Sequence, residues 1–111
     1  MLAYRVSTEN YQCAFPTRYD DPDLTEAAML AVQTYVPQLD VCFTTACCSD
    51  HQSFTENGYS ATQMFERCGS IADNRYHHEQ DLVDRDGYDL DQLVYNTRAQ
   101  LTNLCIFAGL N

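Results

Sequence analysis

Two amphipathic stripes bracket this chain, and together they demand a sheet to cover. The later stripe is the clearer. Asp89, with Gln92 three residues on, opens a capping pattern, and Leu90, Leu93, Val94, Thr97, Leu101, Leu104, Cys105 and Ala108 follow at helical spacing until Gly109. Residues three and four apart share one face of a helix, so this spacing predicts one buried stripe and a glycine stop. The earlier stripe follows Asp20-Asp21-Pro22-Asp23. Asp23 with Glu26 fits a capping box, Leu24, Ala27, Ala28, Ala31, Val32 and Tyr35 share a face, and Pro37 ends the run.

The extended segments are short. Residues 11–19 read as a strand whose proline suits an edge or a strand end. Residues 59–66 alternate and are aromatic, as a second strand would be. Between the first helix and that strand, 38–48 read as a loop carrying three cysteines. Residues 50–57 read as a short helix opened by Ser49 with Gln52 and closed by Gly58. Residues 67–88 keep no period, and a loop that long in a compact domain is functional or mobile. The order describes an α/β unit with two to three strands and two long helices. Those helices would find little sheet to cover, so further strands are expected upstream.

Composition narrows the function. A chain of 111 residues holds one domain or a piece of one, and 45% hydrophobic residues permit a packed core. Sixteen carboxylates face six arginines and no lysine, for a net charge of −10. That charge repels phosphate backbones and anionic lipids, which argues against nucleic acid and membranes as partners. No apolar run approaches the roughly 18 residues that span a bilayer. Met1-Leu2-Ala3-Tyr4-Arg5-Val6 has neither the basic nor the apolar region of a secretion signal. Six cysteines, Cys13, Cys42, Cys47, Cys48, Cys68 and Cys105, are an even set that suits an oxidising compartment, although six allow fifteen pairings. Their spacing does not form the paired CxxC motifs of a thiolate zinc site.

Four groups could carry chemistry. Cys47-Cys48-Ser49-Asp50-His51, with Cys42 before it, could be a disulfide-braced loop feeding a helix, or simply a capped helix start. In Tyr76-His77-His78-Glu79-Gln80-Asp81 an imidazole could ligate a metal with carboxylates orienting it. Adjacent histidines do not readily face one ion, so at most one of them is a ligand. Asp81, Asp84, Asp86, Asp89 and Asp91 miss the calcium-loop spacing and read as a solvated turn. Phe54, Tyr59, Phe65 and Tyr76 could line an apolar pocket or pack a core.

In their order these blocks resemble a known family. Asp20-Asp21-Pro22-Asp23-Leu24-Thr25 running into Thr34-Tyr35-Val36-Pro37, then Cys48-Ser49-Asp50-His51, Phe54-Thr55, Asn57-Gly58-Tyr59 and Phe65-Glu66, look like the late part of co-catalytic zinc aminopeptidases of the bacterial leucyl aminopeptidase type. The family's His-Thr-x-x-Asp-Thr-x-Asp pattern, which supplies its final zinc ligand, is similar to His77-His78-Glu79-Gln80-Asp81-Leu82-Val83-Asp84 here. Both aspartates keep their offsets from His77.

The resemblance implies that residues 1–111 are the C-terminal portion of a single peptidase domain, a fragment of a three-layer α/β/α zinc-exopeptidase fold with a mixed sheet. It implies a secreted enzyme that releases N-terminal, preferably apolar, residues from peptide substrates with two zinc ions. His77 would be a metal ligand, and Phe65, Tyr76 and Cys42 would form the wall of the substrate pocket. The family's close disulfide implies a bridge from Cys42 to Cys47 or Cys48. The family's other ligands precede the matched region, and Met1-Leu2-Ala3-Tyr4 resembles the segment just after one of them. One ligand does not hold zinc, so this polypeptide is expected to be inactive alone, with a missing N-terminal part of the domain as its partner. Two other readings are a non-catalytic remnant that acts by binding and a small secreted module with three disulfides that include Cys13, Cys68 and Cys105.

Overall fold

The first helix begins earlier than its capping pattern suggests. In the computed structural model, which describes residues 3–110, α1 runs from Pro22 to Tyr35 and its N-cap is Asp21. The Leu24 N–H donates to Asp21 Oδ1 at 3.0 Å, and Ser60 Oγ donates to its other oxygen at 2.6 Å. Pro22 occupies the first turn, where its missing N–H removes a donor that would have no helical partner. These contacts, and not Asp23 with Glu26, open the helix. α1 buries Thr25, Ala28, Ala31 and Val32, whereas Tyr35 stays outside.

β1 is Gln12–Pro16 and β2 is Asp40–Thr44, paired in parallel with Gln12 opposite Asp40 and Pro16 opposite Thr44. β2 lies inside the segment read as a cysteine loop. Joining two parallel strands requires a crossover, and α1 provides it, giving a βαβ unit. The expected strand at 59–66 contracts to a single antiparallel bridge, in which Ala14 and Phe65 exchange N–H···O bonds of 2.8 Å. β1 therefore lies between β2 and Phe65, which explains why Cys13, Ala14 and Phe15 are wholly buried. The core gathers Cys13 and Phe15 with Ala28, Val32, Val36, Leu39 and Ala99. Burial pushes the free Cys13 thiol up to about 12, which keeps it unreactive.

α2 is Asp50–Glu56 and α3 is Leu90–Phe107. Ser49 is the N-cap of α2 but makes no side-chain capping bond. Asp89 caps α3 as its spacing predicts, accepting from the Gln92 N–H at 2.9 Å. Hydrogen bonds from Arg5 at 2.7 Å and from Gln92 outweigh the burial that would raise the Asp89 carboxyl, and hold it below its ordinary value.

The face of α3 that turns inward is not the expected one. Gln92, Asn96 and Ala99 are buried, while Leu101 and Leu104 are 55% and 57% exposed and Leu90, Val94 and Cys105 also face outward. The Gln92 amide accepts from the Gln12 N–H at 3.1 Å and donates to the carbonyls of Gln12 at 2.6 Å and Glu66 at 3.0 Å. Asn96 adds a bond to the Gln12 carbonyl at 2.9 Å. Buried backbone groups at the start of β1 need partners, and the amide side of α3 supplies them. The leucine stripe is left without cover among the described residues.

Candidate functional site

The segment 66–88 has no regular secondary structure, yet it is held from three sides. At its start, the Gly69 N–H donates to the Phe43 carbonyl at 2.9 Å and the Thr45 N–H to the Gly69 carbonyl at 3.0 Å, which fastens it to the end of β2. Cys68 bonds to Cys42, with Cα atoms 5.6 Å apart, within the usual range for a bridge. This corrects the pairing expected from the family: Cys47 and Cys48 pair with each other instead. The reason is topological. Cys42 lies within β2, opposite Ala14, and the strand continues to Thr44 before the chain reaches Cys47, whereas the return past Gly69 places Cys68 beside it. Cys13 and Cys105 remain free, which counts against a three-disulfide module.

A buried ion pair closes the middle of the segment. Arg85 donates to both oxygens of Asp73, at 3.1 and 2.5 Å, and to Asp81 at 2.7 Å. The Arg85 and Asp73 side chains are 3% and 0% exposed. At such burial the attraction between guanidinium and carboxylate must offset the loss of their hydration, and removing one partner strands the other. The hydrogen bonds that Arg85 donates to Asp73 lead the effects that raise the Arg85 pKa further. Tyr4 covers the pair, its ring 5.7 Å from the guanidinium. A Cβ at Gly87 would meet that ring at 2.6 Å, and Gly87 also has a φ of +87°, so glycine is required there twice over.

The clamp fixes the histidine tip. Asp73 starts a turn by accepting from the Arg75 N–H at 3.0 Å, and the Tyr76 N–H reaches the Asp73 carbonyl at 3.2 Å. His77 adopts a φ of +62°, a left-handed conformation uncommon for residues other than glycine, although asparagine, aspartate and histidine enter it more often than most. Its ring stacks on Tyr76 with centroids 3.9 Å apart, and Tyr76 meets Phe65 edge-on at 6.5 Å. Phe65, Tyr76 and His77 thus form one continuous stack from the core to the surface. Next to Phe65, the Glu66 carboxyl is raised by burial, opposed by the Tyr4 N–H that donates to it at 2.8 Å.

The expected site residues are therefore divided. Phe65, Tyr76 and His77 come together. Cys42 is joined to the loop only through Cys68, and Cys47 and Cys48 lie on the exposed lead into α2. No ring contact or hydrogen bond among the described residues joins His77 to Cys42 or to the Cys-Ser-Asp-His segment. His51 of that segment is buried, with Nε2 3.2 Å from the Arg18 carbonyl. No group of three His, Cys, Asp or Glu side chains capable of holding a metal occurs among the described residues. His77 and the adjacent His78 are both exposed, and the described residues do not gather the roughly three donors a zinc site takes. Met1 and Leu2 of the Met-Leu-Ala-Tyr segment lie outside the described residues.

Arg85 and Asp73 were missed in the sequence. The available signal was Asp81 and Arg85 at a four-residue spacing, one of six basic residues in the chain set within an acidic stretch.

No protein-family model matches this chain, and no curated protein matches it. Among solved structures, LapA of Legionella is similar to it, with a TM-score of 0.79 and 25% identity over 93% of this chain. The chain spans 28% of the length of LapA. The molecule is a small α/β unit with two disulfides, and among the described residues no helix is long and apolar enough to cross a membrane.

Proposed function

We propose that this chain is the C-terminal portion of a secreted zinc aminopeptidase domain of the bacterial leucyl aminopeptidase type, with a three-layer α/β/α fold. The observation that carries the reading is the rigid presentation of His77: a buried Arg85 clamp and an aromatic stack hold one imidazole at the surface in a left-handed conformation. Backbone strain of this kind costs on the order of 1–3 kcal/mol and persists only where the surroundings impose it, and it clusters at functional positions. Likeness to a chain of which this one covers 28%, and the uncovered leucines of α3, support a larger body around the unit.

In that body His77 would be one zinc donor, with Phe65 and Tyr76 supporting it and Cys42 in a neighbouring wall. Bound zinc would polarise the scissile carbonyl and activate a water against it. Because the described residues do not hold the metal alone, the substrate is assigned only at the level of peptides with an apolar N-terminal residue.

Two preparations test this. The 111-residue chain with added zinc should not hydrolyse leucine p-nitroanilide. A longer polypeptide, extended upstream through the remaining donors, should hydrolyse it in a chelator-sensitive way. Substituting His77→Asn tolerates the positive φ and should abolish that turnover while circular dichroism stays unchanged. Full turnover in the H77N form would overturn the proposal, as would chelator-sensitive turnover by the short chain.

A further inference from the structure

We propose that the groove between α1 and the outer edge of β2 docks an extended peptide segment, basic and apolar, that adds as a strand to β2. The proposal concerns a surface separate from the His77 stack and goes beyond the peptidase reading.

The edge is open. The Asp40 N–H donates to the Tyr11 carbonyl at 2.8 Å, so Asp40, Cys42 and Thr44 turn their backbone groups toward β1. Those groups alternate along a strand, which turns the groups of Val41 and Phe43 the other way. Gly69 takes only the Phe43 carbonyl and the Thr45 N–H. The Val41 N–H and carbonyl and the Phe43 N–H have no partner among the described residues. An edge of this kind is a template for another strand.

Beside the edge lies a groove of about 600 Å³. Pro16, Met29, Leu30 and Phe43 form its apolar wall, and Asp20 and Glu26 its polar rim. Leu30 and Phe43 are 63% and 54% exposed, so the wall is accessible. No basic side chain lines the groove. A strand lying on β2 would send alternate side chains toward α1. An apolar one fits between Leu30 and Phe43, and an arginine or lysine complements Asp20 and Glu26. A second copy is the poorer occupant, because each chain carries a net charge of −10 and the facing rims would repel.

The test is fluorescence anisotropy of the 111-residue chain with a labelled hexapeptide of alternating arginine and valine, N-acetylated and C-amidated. Blocking the amine removes the group an aminopeptidase site would take, so this result and the His77 result fail independently. Saturable binding is expected, weaker by about tenfold or more when glutamate replaces arginine, since like charges across an interface are strongly disfavoured. Val41→Pro removes the outward N–H without touching the β1 ladder, and Leu30→Arg places a cation in the groove while leaving the core intact. Each should weaken binding by roughly tenfold with the thermal midpoint of L30R unchanged. Equal affinity for the two peptides would overturn the proposal. So would binding indifferent to L30R, or a concentration-dependent dimer that V41P dissociates.

Discussion

The β1–α1–β2 unit and the segment 65–99 are packed by opposite means. In the first, Phe15, Val32, Val36 and Leu39 exclude water and little polar surface is buried. In the second, Phe65 and Ala99 are buried as well, but most of the enclosed side chains are polar or charged: Gln92, Asn96, Glu66 and Asp73, with the Arg85 guanidinium on Asp73. Apolar packing is non-directional and tolerates adjustment, whereas a buried polar group is stable only while each of its partners remains. The contrast follows from position. β1 and β2 satisfy each other, while the start of β1 and the irregular loop must find hydrogen-bond partners in side chains. A site that presents one side chain benefits from the second kind of packing, because directional bonds fix orientation.

Four experiments strain this contrast, in decreasing order of effect. Arg85→Met should cost about 3–5 kcal/mol in urea unfolding, since it strands a buried Asp73. The paired variant Arg85→Met/Asp73→Leu should recover much of the loss, and failure to recover would mean that the pair is not what fixes the loop. Gln92→Ala should cost about 1–3 kcal/mol for each backbone group it leaves unpaired and buried, measured the same way. A loss of only a few tenths would show that water readily replaces the amide.

The third experiment uses pH. The Glu66 carboxyl is raised in the folded chain, so its contribution to stability is complete below the ordinary value of 4.5 and is lost as pH rises through the folded value. The opposite holds for Asp89 and for Glu9, whose carboxylate accepts hydrogen bonds from the Arg67 guanidinium. Both are lowered, so their contributions are present above their ordinary values of 3.8 and 4.5 and fade as pH falls through the folded ones. Glu66→Gln keeps an acceptor for Tyr4 and removes the charge. It should flatten the decline above pH 4.5 in urea midpoints taken across pH, and an unchanged profile would remove Glu66 from the account. The smallest effect belongs to Leu101→Ser. A leucine 55% exposed and outside the core cluster should change stability by no more than about 0.5 kcal/mol. A larger, concentration-dependent loss would reveal that the α3 stripe is covered by another molecule in solution.

The two long helices were legible because periodicity and end signals are local. Asp89, Gly109 and Pro37 mark their ends by chemistry that acts within one turn. β2 was not legible, because its five residues include a cysteine and two polar residues, and its strand state depends on β1 lying alongside. The strand at 59–66 was misjudged for the complementary reason: its alternation is real, but only Phe65 meets a partner. Of the site, Tyr76 and His77 were visible as residue types in a loop, and Phe65 as an aromatic. That these three stack, and that Arg85 closes the loop beneath them, was not visible.

The amino-acid sequence alone determined that two long helices form, where the last one is capped and where both stop, that the chain is acidic, and that a histidine sits among carboxylates before the last helix. Tertiary structure alone decided which face of α3 turns inward, which cysteines bond and what holds His77. The physical reason is range. Caps and periods are set by neighbours three or four residues away, whereas the burial of an amide face is decided by the unpaired groups of Gln12, about eighty positions distant along the chain and 3.1 Å away in space.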